Sequence, residues 1–113
     1  MKDVQTAILN FWFEETQSPQ WFQVNPDFDA QVKDRFLENH EAAVLGIYDD
    51  WKNSSDGCLA LCLLLDQFPR NMFRGTAKAF ATDSRALVVS KFAIAKGFDQ
   101  VLTPIKRRFL YLP

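Results

Sequence analysis

Leu59-Ala60-Leu61-Cys62-Leu63-Leu64-Leu65-Asp66-Gln67-Phe68-Pro69-Arg70-Asn71-Met72-Phe73-Arg74-Gly75 is the stretch whose reading decides the fold. From Cys58 to Leu65 the chain is apolar at every position. A helix that is apolar all round belongs in the middle of a bundle. A buried parallel strand is the weaker reading. Leu, Ala and Cys stand where Val and Ile would be expected, and no alternating strands flank the run. The spacing therefore predicts a central helix over roughly 57–67. Pro69 is then expected to break it, since proline cannot continue the hydrogen-bond ladder and pushes Phe68 toward extended geometry.

The rest of the chain reads as helices around that one. Val4, Ile8, Phe11 and Trp12 form one apolar face, with Asp3 as cap and a stop at 16–19. Trp21 and Phe22 follow as a plug at the core edge. Asn25-Pro26 combines a capping side chain with proline at the first helical position. Phe28, Val32 and Phe36 mark the inner face of that second helix, which Asn39-His40 is expected to kink or break and Gly46 to end. Ser55 or Asp56 is expected to cap the central helix. After a short turn over 76–81, Thr82 or Asp83 should cap a helix to about residue 96, with Leu87, Val88, Phe92 and Ala95 facing inward and Gly97 closing it. Thr103-Pro104 opens a last helix with Ile105, Phe109, Leu110 and Leu112 on its apolar side. The expected fold is all-α: an antiparallel array of five or six helices in a single domain, 1–113.

With 113 residues and 48% apolar composition, one packed core is affordable and disorder is not expected. Net charge is −1, but residues 1–56 hold eleven acids and four bases, and residues 57–113 hold three and nine. The first reading is two complementary faces of one fold; the second is a basic face that meets an anionic partner. Cys58 and Cys62 lie on consecutive turns, out of disulfide geometry, and read as buried reduced thiols. The N-terminus has no signal-peptide core, and the longest uninterrupted apolar run is far short of a membrane span. A cytoplasmic protein is expected, without cofactor or metal.

Asp66 carries the one polar site the sequence offers. A carboxylate near the C-terminal end of a buried helix faces the unfavourable end of the dipole and needs donors. Arg70 and Arg74 lie within reach, and Gln67 and Asn71 add donors and acceptors. In the structural reading the arginines neutralise Asp66 and fix a corner. In the functional reading they hold an anionic ligand, giving Asp66, Gln67, Arg70, Asn71 and Arg74 as ligand-binding residues. No catalytic residue stands out. His40 is the single histidine and reads as a solvated helix residue. Asp49-Asp50 reads as a solvated turn rather than a calcium loop.

The run from Leu64 to Asn71, followed by Phe73-Arg74-Gly75-Thr76 and Ala79-Phe80-Ala81-Thr82-Asp83, resembles the core signature of a bacterial family, domain of unknown function 924. Trp12-Phe13, Trp21-Phe22, Tyr48 with Asp50-Trp51, and Arg108-Phe109-Leu110-Tyr111-Leu112-Pro113 fit the same pattern. The resemblance implies a helical fold of the tetratricopeptide-repeat kind, though no repeat is readable here. It brings no activity and no catalytic residue. It also implies a longer chain, with a His-Ser-Glu-containing stretch and further helix after the last segment. The domain is therefore expected to be truncated on its C-terminal side, or to meet another chain there.

These features favour a helical binding or scaffold module for a peptide or protein, or a homo-oligomer formed through the apolar C-terminal face. The alternative is an enzyme or small-ligand protein that uses the cluster over 66–74. Neither a membrane nor a nucleic-acid partner is expected.

Overall fold

A computed structural model describes residues 3–16 and 18–113. Met1, Lys2 and Gln17 lie outside the described residues, and with them part of the expected N-terminal stretch and of the stop at 16–19. Six α-helices run in order: α1 Val4–Asn10, α2 Pro26–Val44, α3 Ser55–Cys62, α4 Phe68–Met72, α5 Asp83–Ala95 and α6 Pro104–Tyr111. Wider π-turns extend α1 over Phe11–Glu15 and join α3 to α4 over Leu63–Gln67, and short 3-10 turns fill the connections. The described residues contain no strand, and none of their helices is long and apolar enough to cross a membrane.

Caps set the starts of α1, α2 and α3 and the ends of α2 and α5. The Asp3 carboxylate accepts the Thr6 N–H at 2.8 Å, and Asn25 accepts from Asp27 and Phe28 ahead of Pro26. Ser54, one residue before the expected cap, accepts the Gly57 N–H at 3.0 Å and starts α3. Gly46 and Gly97 take the left-handed conformation that ends α2 and α5.

The helix from α3 through the π-turn is sealed at every residue from Gly57 to Gln67. It packs against α1, α5, α6 and the turn Asp49–Asn53, so it is the central helix the sequence predicted. Its other wall is aromatic. Phe11, Trp12, Trp21, Phe28, Phe36, Phe68 and Phe109 form one connected ring cluster with centroids 4.8–6.3 Å apart. Cys58 and Cys62 are free and buried within this core, and burial pushes the Cys58 thiol up to about 11.

Three larger expectations need correction, and smaller ones with them: Phe22, Ile105 and Leu112 are 42–56% exposed rather than packed inward, and the Thr82 side chain makes no capping bond at the start of α5. Pro69 does not break the helix. Phe68 keeps helical geometry and the chain runs on to Met72. The Phe68 N–H reaches back five residues to the Leu63 carbonyl, which opens a π-turn and leaves the Leu64 and Leu65 carbonyls facing a proline without an N–H. Two buried side chains fill that gap. His40 Nδ1 donates to the Leu64 carbonyl at 2.8 Å, and Thr82 Oγ1 donates to the Leu65 carbonyl at 2.6 Å. The other π-turn uses the same device: Thr16 donates to the Phe11 carbonyl and Trp21 Nε1 to the Trp12 carbonyl.

Second, His40 is not solvated and α2 does not break beside it. It is 5% exposed, because its ring is the donor for Leu64. Burial holds its basicity below the ordinary value, with the Leu64 bond opposing. The unfolded chain therefore takes up the proton first, and stability should fall as pH drops through about 6.5, the ordinary histidine value. Urea midpoints at pH 7.5 and 5.5 check this, the lower midpoint being expected at 5.5.

Third, α5 turns the other way. Ala86, Val89, Ser90 and Ala93 face inward, while Leu87, Val88, Phe92 and Ala95 are exposed. Apolar residues at 86–89 and 92–95 fall on every side of α5, so no single period stands out. The small side chains win the inner face because α3, already crowded with leucines, admits only a close neighbour.

Candidate functional site

The π-turn and α4 bring all five predicted site residues to one corner. Asp66 sits inside the continuous helix rather than at its end, and is 4% exposed. Its carboxylate accepts from Gln67 Nε2 at 2.6 Å and lies 3.1 Å from Arg70 Nη1. Burial raises its proton affinity above the usual carboxylate range, against the Gln67 bond and the Arg70 charge. The same Arg70 nitrogen donates to the Asp66 carbonyl at 2.5 Å, and the guanidinium grips Asp83 through two bonds of 3.0 and 3.1 Å. Arg74 grips Asp29 through bonds of 2.7 and 3.2 Å, and Asn71 donates to the same carboxylate at 2.9 Å.

Each arginine thus faces an internal carboxylate in two-pronged geometry. Asp29 lies in the first turn of α2 and Asp83 opens α5, positions where the helix dipole also favours an acid. The corner therefore pins α2 and α5 to α4. Sequence reasoning missed both acids. Each is legible as a helix-start residue, but Asp29 lies 45 residues from Arg74, and no local spacing signals that pair.

Trp21, Phe22, Gln67, Arg70, Asn71 and Arg74 line a cavity of about 170 Å³ at this corner. That is small beside the ~300–1,000 Å³ of ordinary ligand pockets. Because Asp29 holds both Arg74 and the buried Asn71, Asp29→Ala should cost about 1–2 kcal/mol. Arg74→Ala, at a half-exposed position, should cost less than about 1 kcal/mol. Denaturant unfolding of the two variants measures the order.

Among the described residues no group of three or more His, Cys, Asp or Glu side chains is placed to hold a metal ion.

An all-helical array with an Asp–Arg corner on its central helix is the class this geometry defines. The chain belongs to the family described as bacterial protein of unknown function (DUF924), whose profile matches residues 8–113. It is similar to a solved structure of a protein of unknown function, ATU0120, from Agrobacterium tumefaciens, with 42% identity and a TM-score of 0.92. The match covers 97% of this chain and 62% of that one, so the present chain spans less than two thirds of that protein's length. No curated protein matches the chain.

Proposed function

We propose that the chain is a helical binding module whose partner lies on the outer face of α5 and the exposed side of α6. The observation that supports this is the outward side of α5, where Leu87, Phe92 and Ile94 are 36–43% exposed; Val88, also exposed, lines a separate cavity beside Ala43, Asp49 and Lys52. Ser90 donates to the Leu110 carbonyl at 2.6 Å and ties the two helices together. Leu87 and Ile94 lie about a turn to either side of Ser90, and Tyr111 and Leu112, both exposed, follow Leu110. A shallow groove of about 470 Å³ runs along α6 past Pro104, Arg107, Arg108, Tyr111 and Leu112. Exposed apolar side chains gathered in this way mark interaction surfaces.

The charge selects the partner. Lys91 is exposed on α5 and Lys96 at its end, over the Phe92 ring, and Arg107 and Arg108 line the α6 groove; none of these four forms an ion pair with a carboxylate among the described residues, though Arg107 donates to the Asp99 and Leu102 carbonyls. The basic half of the chain thus keeps cations that the acidic half does not neutralise. An acidic amphipathic helix or peptide matches both properties. Pairs of stacked helices, the tetratricopeptide kind included, commonly offer such a surface, and a cytoplasmic setting suits the two buried thiols.

A fluorescent peptide of Leu and Glu in helical repeat, titrated into the full chain, tests the proposal. Saturable binding that weakens with salt and disappears in Phe92→Glu is expected. Absence of binding, or equal binding of a Leu and Lys peptide, would overturn it. A doubled solution mass would place a second copy on the face instead.

The corner supports a second reading. There Asp66, Gln67, Arg70, Asn71 and Arg74 hold an anionic group, which would have to displace Asp29 or Asp83 from a guanidinium. Saturable phosphate or acetate protection against heat, lost in Arg70→Gln, would favour it.

A further inference from the structure

His40 has one ring nitrogen spent and one unspent. The Leu64 carbonyl can only accept, so Nδ1 carries the proton and Nε2 of the neutral ring presents a lone pair. Among the described residues Nε2 has no hydrogen-bond partner. The one polar side-chain atom there that is both sealed and unpaired is Trp12 Nε1, so Nε2 remains reachable although the residue is 95% buried. The His40 ring is part of the wall of a cavity of about 450 Å³, with Glu41, Val44, Leu45, Phe73 and Lys78. This cavity is separate from the Asp66 corner and from the α5–α6 face.

Its walls narrow the ligand. Val44, Leu45 and Phe73 offer an apolar bed, with the Phe73 ring 5.6 Å from the imidazole. Lys78 Nζ stands 4.8 Å over the Phe73 ring, and Glu41 stands on the same wall. One cation and one anion leave the cavity without net charge, and Glu41 opposes a free carboxylate. An imidazole lone pair calls for a donor, and a nearby ammonium favours an oxygen that gains negative character as its proton is shared.

We propose that this cavity binds a small, largely apolar molecule bearing one weakly acidic hydroxyl, of the phenol class, whose O–H donates to His40 Nε2. The Leu64 bond fixes the tautomer that makes Nε2 the acceptor, and Pro69 frees the Leu64 carbonyl for that bond. The proline in the central helix thereby orients the ligand-binding nitrogen in a different helix.

The chain has a single histidine, so its imidazole resonances are unambiguous. Full-length protein with ¹⁵N-labelled histidine is titrated with phenol and, separately, with toluene, which lacks the hydroxyl. A saturable shift is expected that is larger at Nε2 than at Nδ1, and at least fivefold smaller with toluene. Leu45→Trp, at an exposed position on the cavity wall, crowds the cavity from outside and should abolish the shift. No shift with phenol, an equal shift with toluene, or an undiminished shift in folded Leu45→Trp protein would each overturn the proposal.

Discussion

Gly57→Ala should destabilise the fold by about 2–4 kcal/mol, although it adds one methyl group to the start of a helix. An alanine Cβ there would stand 2.0 Å from the Trp51 carbonyl oxygen, 2.8 Å from its carbon and 2.9 Å from Ser54 Oγ. None of these is the loose end of a flexible side chain. The Trp51 carbonyl accepts the Ser54 N–H at 3.2 Å, and Ser54 Oγ in turn caps the Gly57 N–H. Making room therefore breaks the turn and the cap together. Overpacking of this kind costs about 1–3 kcal/mol and a lost cap about 1 kcal/mol. Gly75→Ala is the control. It meets no atom within 4 Å and carries only the strain of a left-handed residue, about 1 kcal/mol. Guanidinium unfolding of both variants measures the contrast, and equal costs would contradict it.

Thr82→Val should cost about 1–3 kcal/mol, because an isosteric side chain leaves the buried Leu65 carbonyl without its donor. His40→Phe should cost a similar amount through Leu64. The account makes a stronger demand on a pair of changes. Pro69→Ala restores an N–H at the position whose absence orphaned these carbonyls. It should then relieve Thr82→Val, with a coupling of about 1 kcal/mol in a double-mutant cycle. Strict additivity of the two changes would mean that the Leu65 carbonyl is not what Thr82 serves.

The central helix was legible because its composition leaves it nowhere to go but the interior. The starts of α1, α2 and α6 were legible from Asp3, Asn25-Pro26 and Thr103-Pro104, which act through neighbours in sequence. The path through Pro69 was not. Local rules say that proline ends a helix, and what keeps this one going is a histidine 24 residues upstream of the carbonyl it serves and a threonine 17 downstream. The same distance hid Asp29 and Asp83, so the five residues of the corner were found without the carboxylates that occupy its arginines. The rotation of α5 was hidden for a different reason. Leu87, Val88 and Phe92 are as apolar as a core face, yet the face that packs against α3 is that of Ala86, Val89, Ser90 and Ala93.

That rotation exposes apolar side chains of α5 beside Lys91 and Lys96, while the arginines at the corner face their own acids. The central claim is that a partner meets the first place and not the second. Amide chemical-shift mapping of the full chain with the Leu and Glu peptide tests it most directly. Shifts centred on α5 and α6 are the predicted result; shifts centred on Asp29, Arg70, Asn71 and Arg74 would contradict the account.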